Sequence, residues 1–129
     1  MLFRSTDRFI SISDNTNNNI LRLQYRTTDN SINSQYKVGG VTQASLTASL
    51  NSLDFNKIAV KYKENDFSLW INGVKVATDN SGAVNSPGTF TEVEFTRGGS
   101  VLPFYGKVKA VAVYKEALTD AQLQSLTTQ

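Results

Sequence analysis

The chain has no cysteine and no histidine among its 129 residues. The first absence removes disulfides, thiolate metal sites and cysteine nucleophiles. The second removes the usual base of a Ser-His-Asp triad and the usual nitrogen ligand of zinc. No apolar run approaches the ~20 residues that span a bilayer, so no membrane insertion is expected. The opening "MLFRSTDRFI" carries Arg4, Asp7 and Arg8 where a secretory leader needs uninterrupted apolar residues, so no signal peptide is expected in this chain. An extracellular role then implies another route, or excision from a longer protein. Lysine and arginine number 13 against 11 acidic residues, a net +2 spread along the chain without a basic cluster. That argues against a nucleic-acid partner.

What is present is Asn, Ser and Thr in abundance, with apolar residues recurring at every second position. Strands are predicted over 9–13, 20–26, 32–38 and 41–50, separated by the polar loop "SDNTNNN" (13–19), the turn "TTDNS" (27–31) and Gly39-Gly40. The facing of "ILRLQYR" (20–26) is ambiguous. After the loop 51–56, "KIAVKYK" (57–63) puts Ile58, Val60 and Tyr62 on one side and lysines with Ala59 on the other. Further strands are expected over 89–97 and 104–114, the second with a β-bulge near Lys109-Ala110 that lets Val108, Val111 and Val113 all face the core.

"FSLWINGVKV" (67–76) is the strongest local signal. Asn72-Gly73 suits the two positive-φ positions of a type I′ hairpin turn. Such a hairpin gives a core face of Phe67, Leu69, Ile71, Val74 and Val76. The sole tryptophan, Trp70, falls on the opposite face, across from Lys75. Three readings stay open for it: packing beneath a loop or against Lys75 by cation–π contact, a subunit interface, or a platform for a sugar ring. Near the end, "LTDAQLQSL" (118–126) is the one helix expected. Thr119 is its N-cap, Gln122 completes a capping box, and Leu118, Leu123 and Leu126 are the docking residues. About nine strands with one short helix make a single-domain antiparallel β-sandwich spanning 1–129.

Two separated motifs in this order resemble the laminin-G-like, concanavalin A-like lectin/glucanase superfamily. They are Ile58-Ala59-Val60-Lys61-Tyr62 followed by Leu69-Trp70-Ile71-Asn72-Gly73-Val74, and Gly106 through Tyr114 followed by Ala117-Leu118-Thr119 with Gln122 and Leu123. The resemblance covers roughly residues 9 to 126 and implies a concanavalin A-like jelly roll. The ending "LTDAQLQSLTT" and the Asn-rich "SDNTNNNIL" are similar to such domains in bacteriophage tail and fibre proteins. That likeness implies a non-enzymatic module on a virion surface, as a tail, fibre or capsid-decoration domain. Its expected partners are host surface glycans, other virion proteins and copies of itself, in a trimer. Relatives carry more sequence before the "FISIS" strand, so residues 2–5 or another subunit would cover the edge beside the last strand, and Trp70, Tyr25 and Tyr36 would add aromatic surface outside the core. The alternative is a carbohydrate-binding module excised from a larger secreted enzyme or adhesin.

The candidate ligand residues are Trp70, Lys75, Glu92, Glu94, Asn17 and Asn18. Glu92 and Glu94 leave one strand on the same face, as catalytic carboxylates of glucanases do, but Arg97 stands where a third acid belongs, so no enzyme is expected. Asparagine side chains in 13–19 both donate and accept hydrogen bonds, which suits sugar hydroxyls. No cofactor is required. Calcium is the one cation that the loop oxygens around Asp14 and Asp79 could serve, against the plainer reading of Asp and Asn as turn residues.

Overall fold

A computed structural model describes residues 7–26, 30–51, 54–99 and 108–129. Eight strands and one helix occur among them: β1 Asp7–Ser13, β2 Ile20–Arg26, β3 Ser31–Val38, β4 Val41–Ser49, β5 Ile58–Lys63, β6 Asp66–Ile71, β7 Val74–Asp79, β8 Glu92–Glu94 and α1 Asp120–Thr127. They form a five-stranded sheet, β4-β3-β2-β1-β8, and a three-stranded sheet, β5-β6-β7, with every pairing antiparallel.

Side-chain alternation sorts the larger sheet into two faces. Leu21, Ile32, Tyr36, Ala44 and Leu46 turn inward and meet Phe67, Leu69 and Ile71 of β6 in the core. The pairing resolves the facing of β2: Leu21, Leu23 and Tyr25 belong inside, leaving Ile20, Arg22 and Gln24 outside. Tyr36 is 2% exposed and Tyr25 packs against the core, so neither tyrosine supplies the outer aromatic surface expected of it. Tyr36 stacks on Tyr62 at 5.6 Å and meets Phe67 and Phe90 edge-on or tilted. Its hydroxyl accepts from the Asn85 backbone N–H at 2.9 Å, which ties the loop after β7 to β3.

Strand β6 is buried on both faces. Phe67, Leu69 and Ile71 serve the core, while Ser68 and Trp70, on the other side, are also buried. The element covering them is α1, which packs across β5, β6 and β7. Trp70 is therefore an apolar filler between sheet and helix, with its Nε1–H donated to Ser68 Oγ at 3.1 Å. Lys75 lies opposite it in the ladder, its Nζ 5.5 Å from the indole centroid and 2.6 Å from Asp120 Oδ2 on the helix. That contact holds the Asp120 carboxyl below its ordinary value.

Asn72 and Gly73 have φ of 50° and 85°, as the primed turn requires. The turn is clamped from outside: Asn72 Oδ1 accepts from the Lys57 N–H and from Gln129 Nε2, and the Gly73 N–H donates to Thr127 Oγ1. Val74 and Val76 depart from the expected core face, being 58% and 38% exposed. The register slips at Leu69/Trp70, so Leu69 pairs with Ala77 instead of Val76, and Val76 is the unpaired extra residue. Ala77 packs on the core in its place.

The helix has its capping box, with Thr119 accepting from Gln122 N–H and Gln122 reaching back to Thr119 N–H. Leu123 is 4% exposed, but Leu126 is 42% exposed and does not dock. Thr127, one residue on, takes the buried position because its hydroxyl is needed at the hairpin tip.

Two expected strands shrink or vanish. Of 89–97 only Glu92–Glu94 pairs, because beyond it Thr96 Oγ1 donates to Glu94 and accepts from Gly98 N–H, local bonds that compete with a ladder. Residues 104–107 of the last expected strand lie outside the described residues. Residues 108–114 join neither sheet, and Val108, Val111 and Val113 are exposed, so the bulge does not form. Period-two spacing without a hydrogen-bonded neighbour fixes no facing. The turn residues 27–29 and the edge-covering residues 2–5 likewise fall outside the described residues.

Candidate binding face

The outer face of the five-stranded sheet is polar, and its registers make continuous rows. Glu94 pairs with Ser11, Ser11 with Arg22, Arg22 with Gln35, and Gln35 with Ser45. One row thus runs carboxylate, hydroxyl, guanidinium, amide, hydroxyl across all five strands at about 4.8 Å per step. A second row runs Glu92, Ser13, Ile20, Lys37, Thr42.

Ile20 is fully buried although it points outward. The 96–99 turn covers it. A Cβ on Gly98, at φ +102°, would stand 2.8 Å from Ile20 Cδ1 and 2.9 Å from the Thr16 carbonyl oxygen, so only glycine lets the turn lie this close. The turn thereby carries Arg97 onto the face beside Arg22. Lys37 joins them: its ammonium is pushed toward deprotonation by burial first, then by the charges of Arg22 and Arg97. Burial and Arg97 push Arg22 the same way. Three cations scattered in sequence thus converge, a cluster that the absence of a basic run had argued against.

This face also holds an anomaly. Among the described residues, the buried side-chain polar atoms without a hydrogen-bond partner are Ser11 Oγ, Arg22 Nε, Gln35 Oε1 and Arg97 Nε. All belong to the outer row or to the turn above it. Arg22 is otherwise held by Nη1 donating to Asn17 Oδ1 at 3.3 Å and by its guanidinium 5.8 Å from the Phe9 ring. Folded proteins leave few such atoms unpaired, and each costs about 1–3 kcal/mol.

Glu92 and Glu94 mark the β8 rim of the face. The neighbouring Glu94 carboxyl, first by hydrogen bonding and, after slight desolvation, by repulsion, raises the Glu92 carboxyl above its ordinary value. Glu94 also accepts from Thr96 Oγ1 at 2.6 Å.

The remaining candidates separate from this face. Trp70 is 5% exposed beneath α1 and offers no open ring for a sugar, and Lys75 is engaged with Asp120 on that same far side of the sandwich. Asn17 sits against Arg22, whereas the neighbouring Asn18 braces loops: its carbonyl accepts from Gly40 N–H and its own N–H donates to Thr16 Oγ1. Asp14 accepts from Thr16 and Asn19, which lower its carboxyl's proton affinity, Thr16 most. Asp79 accepts from Ser81. Among the described residues no three acidic side chains cluster as a metal site would need. A shallow, open hollow lined by Asn30, Ser49, Leu50 and Asn51 lies at the far end of β4, away from the row.

Sequence reasoning passed over Ser11, Arg22, Gln35 and Lys37 as binding residues. The signal was there: Arg22-Gln24 and Asn33-Gln35-Lys37 occupy alternate positions of consecutive predicted strands. Arg97 sits in a turn, and nothing local in sequence says which face it crosses.

Comparison with known proteins adds three findings. A solved structure, an S-layer domain-containing protein (residues 221–444) from Clostridium thermocellum, aligns with a TM-score of 0.44 at 16% identity, covering 98% of this chain and 65% of that one. The chain thus spans about 65% of the length of that solved relative. No curated protein matches the sequence. The family profile Laminin_G_3 matches residues 3–124, and with nearly the whole sequence covered, the chain belongs to this concanavalin A-like lectin/glucanases superfamily.

Proposed function

We propose that the chain is a non-enzymatic glycan-binding module whose contact surface is the outer face of the five-stranded sheet. The carrying observation is the row Glu94–Ser11–Arg22–Gln35–Ser45 with its unpaired buried atoms. A sugar hydroxyl both donates and accepts. Arg22, Gln35, Lys37 and Arg97 are each half-buried, so a sugar hydroxyl can meet their outward donors and acceptors, and the unpaired atoms beneath are reached when those side chains shift. The absence of catalysis is supported by the sequence: Arg97 stands where a third acid would accompany Glu92 and Glu94. Gln35→Leu removes an unpaired acceptor, so it should abolish binding on a glycan array while leaving the melting temperature unchanged or higher. Full binding by that variant, or sugar release from β-glucans or galactans by the native chain, refutes the reading.

The setting we propose is a virion surface, supported by the likeness of "LTDAQLQSLTT" and the Asn-rich opening to phage tail and fibre domains. Its partners there are other particle proteins and copies of the chain, as a trimer. Exposed Val108, Val111, Val113 and Tyr114 on 108–114 support self-association. Sedimentation at tens of micromolar checks this, and a monomer rules the trimer out.

A further inference from the structure

Three cations and several unpaired polar atoms share one face, and neutral hydroxyls leave the cations' charge unanswered. We infer that the face selects an acidic sugar chain, with a carboxylate or sulfate group seated among Arg22, Lys37 and Arg97 and a neighbouring hydroxyl on Gln35. This rests on the glycan-binding reading of the same face.

Four observations carry it. Arg22 and Arg97 each keep a buried Nε without a partner, although a guanidinium ordinarily finds acceptors for its fork of donors. Lys37 sits one row from Arg22, close enough for all three charges to repel, and no carboxylate among the described residues is seen paired with any of them. An incoming oxyanion would relieve that repulsion and accept charge-assisted bonds. The two glutamates stand at the β8 rim, with β1 between them and Arg22. The face is thus cationic at β2–β3 and acidic at β8, suiting a ligand with a charged group at one end and hydroxyls at the other. A single-stranded nucleic acid fits less well, because beyond its phosphates its bases need open aromatic rings to stack on. Phe9, the ring on this face, is 3% exposed beneath Arg22.

Calorimetric titration of the full chain with matched oligomers tests the assignment: a neutral galactan, a polyuronate, a sulfated galactan and a single-stranded oligonucleotide. The uronate or the sulfated oligomer should bind about tenfold or more tightly than the neutral one, and the preference should shrink with added salt. Whichever acidic oligomer leads identifies the seated group. Arg97→Gln should cut the acidic-to-neutral affinity ratio by about tenfold. Lys37→Gln, at a less buried site, repeats the test should Arg97→Gln fail to fold. An acidic-to-neutral ratio near one, unmoved by either substitution, overturns the inference and leaves the glycan reading intact. Binding to none of the sugars overturns both, and tighter binding of the oligonucleotide overturns the inference in favour of nucleic acid.

Discussion

Trp70→Ala should lower the unfolding free energy by about 3–5 kcal/mol, the usual cost of emptying a buried aromatic site. The ring is 5% exposed, lies between β6 and α1, and has its one polar atom satisfied by Ser68. Removing it strips contact from the sheet and from the helix together, and the short helix cannot hold without that support. Lys75→Ala is the control. Its contacts with the ring and with Asp120 are partly solvent-exposed, so it should cost under about 1 kcal/mol. Denaturant melts of both variants decide the matter. A loss below about 1 kcal/mol for Trp70→Ala contradicts the packing, because no buried aromatic comes out so lightly.

Gly82→Val should cost about 3 kcal/mol or more, combining backbone strain with overpacking. The residue has φ +143°, and a Cβ there would stand 2.8 Å from the Gln43 carbonyl oxygen and 2.9 Å from Phe67 Cε2. The first neighbour is strand backbone and the second a core ring, so neither yields easily. Gly88→Ala separates the two causes: at φ +85° nothing lies within 4 Å of the added carbon, so only the conformational cost of about 1–2 kcal/mol remains. Thermal melts giving equal losses for the two variants would show that the loop 79–88 does not press on the core as described.

Much of the fold was legible because alternation and turn chemistry act locally. Asn72-Gly73, the capping box at Thr119 and the order of β1 to β7 all depend on residues close in sequence. Reading failed where partners decide. Val76 follows the pattern of a core residue and is expelled by a register slip that only its neighbour β6 reveals. The valines of 108–114 keep the right spacing and find no ladder. Trp70 was placed on the correct face, yet its cover comes from a helix some fifty residues later. The candidate face was legible in part. Arg22 and Gln35 alternate correctly within their strands, but their alignment is a matter of register, and Arg97 reaches them through a glycine whose need is set by Ile20 and Thr16.

The strand order β4-β3-β2-β1-β8 also bears on how the face comes into being. β1 through β4 form a meander in which each strand pairs with its successor, so little loop-closure entropy opposes those contacts. β8 pairs with β1 only after the chain has travelled through the whole smaller sheet, and it does so over three residues at an edge. The cationic part, built on β2 and β3, thus belongs to an early and sturdy unit. The acidic rim belongs to a late one whose local opening costs least. Fraying of β8 would carry Glu92 and Glu94 away and release the turn that holds Arg97, while Arg22, Gln35 and Lys37 keep their register. Should the face take a sugar chain as proposed, such opening would widen its β8 side at the expense of Arg97 and leave Arg22, Gln35 and Lys37 to hold the ligand.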